Sequence, residues 1–230
     1  MGSLIAAAIA FAGTHFLLSH PLREPLVRAI GARGFLGLYV ATAFATFGWL
    51  IFAFRATPPE PLWWAADDKV WLAASAVMLL ASILFLASLF GNPAFPDPTG
   101  GTPKFGEARG VYAVTRHPMM WGFALWAAVH VAVFPTGANA VLSAAILVLA
   151  LAGAALQDRK KASLVPGWTD WQARTSYLPF AAQLAGKARW TLGDMRAILG
   201  GTALWIVATK LHVVLGGAME AGIWRWVTIE

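Results

Sequence analysis

The chain of 230 residues contains no cysteine. That absence excludes disulfides, thiol chemistry, iron–sulfur clusters, thioether-attached haem and thiolate-bound zinc. Charge is also scarce, at 12% of residues against roughly 25% in ordinary soluble proteins. Asp and Glu number 11, and none falls within a long apolar run. A carboxylate proton relay or a carboxylate-rich metal pair inside such a run is therefore not expected.

Apolar residues are abundant instead, at 59%, with 12 Trp and 14 Phe. A single core of this size cannot enclose so much apolar surface, so lipid is the expected solvent for most of the chain. A spanning helix needs about 20 apolar residues, within a range of about 17–25. Six runs qualify or nearly do: Ser3–Ser19, Phe35–Phe54, Val70–Phe90, Met119–Phe134, Ala138–Leu156 and Gly200–Gly216. They are rich in Ala and Leu and lack strict alternation, which favours helices over strands. The first run lacks the basic leader of a signal peptide and reads as a span. The fourth begins after Pro118, a residue suited to the first turn of a helix. The expected fold is an all-α, polytopic bundle of about six spans, a single membrane domain over residues 1–230.

Basic residues divide unevenly between the two sets of loops. One set holds Arg23, Arg28 and Arg33, then Lys104, Arg109 and Arg116, then a cluster from Arg159 to Arg196. The other holds only Arg55, Lys69 and Arg225. The positive-inside rule places the rich set in the cytoplasm and both termini outside, in a cytoplasmic membrane. The net charge of +6 then reflects topology and anionic lipid, and calls for no nucleic-acid partner. Two long loops, about 92–118 and 157–199, lie on that side and are expected to form a cap.

An ionisable side chain within a span is costly and marks a functional site by default. His15, His130, Lys210 and His212 are such residues, and His20 and His117 stand at span edges. Neutral imidazole in lipid suits metal ligation, haem iron above all. At 1.5 Å per residue, His15 lies about 7 Å from the cytoplasmic end of its span, while His130 and His212 each lie about 18 Å from theirs. Depth alone makes His130 and His212 the level pair. His117 and His130 are about 220° apart around one helix and cannot share a ligand. Arg116 and His117 sit where a loop becomes a helix start, a place that favours an anion. Lys210, without an acidic neighbour in sequence, is expected near mid-span, facing a water-filled cavity or an acidic group.

Several strings carry a resemblance. THFLLSHPLR followed by IGARGFLGLYVATAFA, then VTRHPMMWGFALWAAVH, then GWTDWQARTSYLPF resemble the NnrU family of bacterial membrane proteins, associated by name with nitric oxide and nitrite metabolism in denitrifiers. The pattern is similar also to 15-cis-zeta-carotene isomerase, an integral-membrane enzyme with haem b and two axial histidines. That resemblance implies haem b between His15 and His130, with His117 and His212 in support. Arg116, Arg174 and Lys210 become candidates for propionate or substrate anions. It also implies a hydrophobic small-molecule substrate or a redox partner, in a haem accessory protein or a haem-dependent isomerase of a carotenoid-like polyene. The RHP-x-x-x-G string is similar to isoprenylcysteine and phospholipid methyltransferases, which hold S-adenosylmethionine with acidic residues after the next helix. Here that place reads Gln157-Asp158-Arg159-Lys160-Lys161, with one carboxylate among three cations, which weakens a methyltransferase reading.

Overall fold

The computed structural model describes residues 1–95, 105–190, 194–217 and 219–227. Lys104 and part of the Pro/Gly-rich loop before Arg109 lie outside the described residues. Among the described residues all regular structure is helical. The main helices are α1 (Gly2–Ser19), α2 (Arg23–Arg55), α3 (Asp68–Ala87), α5 (Pro118–Val133), α6 (Gly137–Leu164) and α9 (Met195–Lys210). Between them run the short α4 (Val111–Val114), α7 (Trp168–Arg174) and α8 (Ala181–Leu184), and a single 3-10 turn follows at Gly222–Arg225.

Local chemistry sets several helix ends. Pro118 occupies the first turn of α5, where its missing N–H would have no partner anyway. The side chains of Asp67, Thr136 and Asp194 accept from the first-turn N–H groups of Val70, Asn139 and Arg196. Glu60, from the α2–α3 connection, adds a carboxylate that accepts from Ala138 N–H at 2.8 Å. It thereby neutralises the positive start of α6. Gly31 breaks the helical path inside α2 with φ 72°, a conformation glycine adopts without a Cβ penalty.

The helices pack as a row whose order in space is α2, α1, α6, α5, α3, α9. Leu4, Ala7 and Phe11 of α1, Leu50 and Ala53 of α2, and Leu142 and Ala145 of α6 form one buried core. Trp71 and Ala74 of α3 with Val129 and Val133 of α5 form another. Glycines allow the closest approaches. A Cβ on Gly201 would fall 2.5 Å from Ile83 Cα, so α9 lies backbone to backbone against α3. Small residues at such contacts suit helix pairing in lipid.

Four helices, α1, α2, α3 and α6, are long and apolar enough to cross a membrane. Along α2, Phe44 and Phe52 are 74% and 72% exposed, a surface that hydrocarbon must cover. The protein is an integral membrane protein. The fourth and sixth expected spans are the 16-residue helices α5 and α9, about 24 Å each at 1.5 Å per residue.

Three boundaries differ from expectation. The second helix starts at Arg23 rather than Phe35, so Arg23, Arg28 and Arg33 lie on helix rather than in a loop. The sixth helix is set five residues earlier, because Asp194 caps it; Lys210 is its last residue rather than a mid-span group, and His212 lies in the turn beyond it. The fifth span overruns Leu156 and continues to Leu164, so Asp158, Arg159, Lys160 and Lys161 lie on helix rather than in a loop. At that end a cap does form: Trp168 and Trp171 bury against Ala94, Phe105 and Tyr112. Segments of both long loops contribute to it.

Candidate functional site

A cavity of about 600 Å³ opens between α1, α2, α5 and α6. This is within the roughly 300–1,000 Å³ of small-molecule and cofactor sites. Its walls are mostly aromatic and aliphatic, with Phe11, Phe16, Phe47, Phe123 and Trp126 among them. Polar groups gather at the end carrying the basic loops: Ser19, His20, Gln157 and Lys160. Lys160 Nζ donates to the Ser19 carbonyl at 3.2 Å and so fixes the α6–α1 junction beside that mouth. The His20 imidazole titrates below its ordinary range, chiefly through burial and secondly through the nearby Lys160 cation.

His15 stands in the wall of this cavity. Its Nδ1 lies 2.7 Å from the Phe11 carbonyl, one turn back on α1. A carbonyl only accepts, so Nδ1 carries the proton and Nε2 keeps a lone pair. The rings of Phe11, at 4.7 Å, and Tyr39, at 5.6 Å, hold the imidazole edge-on. This is the way a metal-binding histidine is held: one nitrogen anchored to the backbone, the other left to coordinate.

His130 is placed differently. It stacks on Trp126 at 3.9 Å and donates Nδ1–H to the Trp126 carbonyl at 2.8 Å. Trp126 lines the cavity, whereas His130 does not. The neighbouring imidazole is that of His212, with ring centroids 6.2 Å apart. His15 thus lies in the cavity wall, and His130 lies outside it, stacked on the wall residue Trp126.

Arg116 and His117 meet a partner that sequence did not suggest. Asp158, buried on α6, accepts from Arg116 Nε at 2.7 Å and pairs with His117 Nε2 at 2.8 Å. Both carboxylate oxygens are thereby engaged. Around this knot, Arg116 N–H donates to the Ser176 carbonyl, and Thr115 Oγ1 donates to that of Tyr177. Trp121 Nε1–H also donates to the Tyr177 carbonyl. The Tyr177 hydroxyl, which titrates above its ordinary value through burial and then through Asp158, donates to the Leu151 carbonyl. The RHP segment, α6 and the loop after α7 are locked together here.

The remaining expected site residues lie elsewhere. Arg174 is at the cap surface, with its guanidinium over Trp171 and a hydrogen bond to the Gly106 carbonyl. Lys210 rests over the Trp224 ring at 4.4 Å. Neither lines the cavity, nor does Arg116. The cavity instead enlists Tyr39, His20, Gln157 and Lys160. Among the described residues, no three or more His, Asp or Glu side chains gather as a metal-binding group.

No curated protein and no solved structure matches the chain. The family model described as NnrU protein matches residues 3–219. The match spans all six main helices, the RHP segment and the basic cap, and the chain belongs to the NnrU family.

Proposed function

We propose that the protein binds haem b in the cavity between α1, α2, α5 and α6, with His15 as an iron ligand. The observation that carries this reading is the His15 imidazole in a mostly apolar wall, its Nδ1 committed to the Phe11 carbonyl and its Nε2 without a hydrogen bond among the described residues. The donor set fits the group: aromatic walls for the macrocycle, and Lys160, His20 and Gln157 at the mouth for the propionates. When bound, haem supplies an iron centre able to carry an electron or take a small ligand. The chain's own part is to hold the imidazole tautomer, exclude water and present the Lys160 cation, with the His20 and Gln157 donors, to the propionates. The resemblance to the isomerase implies His130 as the second iron ligand; His130 stacks on Trp126, a residue of the cavity wall, but does not itself line the cavity. Arg116, Arg174 and Lys210 do not line this cavity, so propionate contacts fall to the residues at its mouth.

Absorption spectroscopy of the detergent-purified protein tests this. A Soret band in the wild type, lost in His15→Ala, supports the reading; a colourless wild type or an unchanged band in His15→Ala overturns it. Retention of the band in His130→Ala would leave His15 as the sole protein ligand, and its loss would confirm the imidazole pair.

A second reading uses the same walls. Their aromatic, nearly uncharged character also suits a polyene, and conversion of a poly-cis carotene only under reducing conditions would make the protein a haem-dependent isomerase. A methyltransferase would need carboxylate to spare for a cationic cofactor, and both oxygens of Asp158 are committed to Arg116 and His117. In either haem reading the bundle lies in the cytoplasmic membrane with the basic end inside and both termini outside. A phosphatase reporter fused at the C-terminus should accordingly be active.

A further inference from the structure

The packing order leaves one side of the cavity without a wall. α1 and α6 pack together, α2 packs on α1, and α5 packs on α6. α2 and α5 thus flank the cavity but are not packed on each other. Near the end opposite the basic loops, α2 rejoins the bundle, where Leu50 and Ala53 share a core with Leu142 of α6. At that same end a strap ties the flanks. The chain after α9 runs from His212, whose ring neighbours that of His130 on α5, to Leu215, whose carbonyl accepts from Arg55 Nη2 at the end of α2 at 2.9 Å.

Exposure shows where the gap faces outward. Of the described residues that line the cavity, Phe47 on α2 and Phe123 on α5 are exposed, at 42% and 40%, while the others are buried or half-buried. One stands on each flank. Phe47 precedes Arg55, the last residue of α2, by about 12 Å at 1.5 Å per residue, and Phe123 precedes Val133, the last of α5, by about 15 Å. Both therefore lie well inside a hydrocarbon layer about 30 Å thick. Among the described lining residues the Lys160 cation stands away from this depth, at the basic end.

A molecule that passes between two phenyl rings at this depth must already be dissolved in hydrocarbon, because an ion or a strongly hydrated solute is costly there. We propose that the cavity takes its ligand sideways from the bilayer, through a slot between α2 and α5 edged by Phe47 and Phe123. The ligand class is accordingly a lipid-soluble molecule, with any acidic end directed to Lys160 and His20 at the polar mouth. This deepens the proposed function and rests on its assignment of this cavity as the binding site; the slot serves haem or another lipophilic occupant alike.

The test is photolabelling of the full-length protein in phosphatidylcholine vesicles with an uncharged aryl diazirine, which dissolves in the bilayer core and inserts into side chains it meets on illumination. Mass spectrometry reads the labelled positions. Phe44, 74% exposed and outside the cavity, is the lipid-facing reference, and Leu84, 1% exposed on α3, is the buried one. Trp126 and Leu149 of the cavity wall should label at least about tenfold above Leu84. Because the chain has no cysteine, a long-chain alkyl maleimide reacts solely at the new thiol of Phe123→Cys. That block should cut labelling of Trp126 and Leu149 at least about fivefold and leave Phe44 unchanged. Phe47→Cys repeats the block from the other flank, and decides the matter if Phe123→Cys does not fold. Wall residues that label no more than Leu84, or labelling unchanged by both blocks, overturn the proposal. Walls that label and are shielded by the blocks, in a protein without a Soret band, keep the slot and refute the haem reading alone.

Discussion

Asp158 is the residue whose removal should be felt most widely. Its side chain is 8% exposed and those of Arg116 and His117 are 11% and 1% exposed. Asp158→Ala deletes the counter-charge from a guanidinium that stays buried, and also strips His117 of the one ring hydrogen bond it makes among the described residues. Breaking one side of a buried ion pair costs about 3–5 kcal/mol. The exposed Glu24–Arg28 pair, with side chains 80% and 71% exposed, provides a control; Glu24→Gln should cost about 0–1 kcal/mol. Equilibrium unfolding in mixed micelles, followed by helical circular dichroism, compares the two. The variant Arg116→Met/Asp158→Leu should recover much of the loss, since removing both charges removes the desolvation penalty with them. A loss below about 1 kcal/mol in Asp158→Ala would refute the argument. It would mean that Arg116 finds another anion and that the knot does not hold the cap to α6.

Two further outcomes follow from single contacts. Gly201→Val should separate α9 from α3, because its Cβ would meet Ile83 Cα at 2.5 Å; a loss of about 1–3 kcal/mol is expected from such overpacking, measured by the same unfolding assay. His20 titrates below its ordinary 6.5, so as pH falls the unfolded chain takes the proton first. Stability should therefore decline as pH drops below about 6.5, and His20→Asn should flatten that slope.

Much of the helical frame was legible because apolar run length and helix-end chemistry are local. Pro118 starts α5 where its sequence context placed it. Counting rise per residue put His130 and His212 at one depth, and their rings are neighbours in space. The errors arose where a distant partner changes the local meaning of a residue. Gln157-Asp158-Arg159-Lys160-Lys161 looks like a solvated loop by composition, yet Asp158 is neutralised by Arg116 from 42 residues away and the helix continues through it. Lys160 read as a topology charge and proved to border the cavity. Lys210 had no acidic neighbour to predict, because an indole face meets it instead. The cavity itself could not be read at all, since four helices enclose it and nothing in one strand of text fixes their order.

That order has a consequence for how the protein is made. During synthesis the α1–α2 hairpin enters lipid before α6, yet the other flank of α1 is covered by α6, whose first residue is Gly137. The hairpin must therefore wait, one side bare to lipid, while three connections and two more apolar helices emerge. The cavity between α1, α2, α5 and α6 does not exist until α6 has been delivered, so a nascent protein stalled after α5 has the His15 imidazole but no chamber around it.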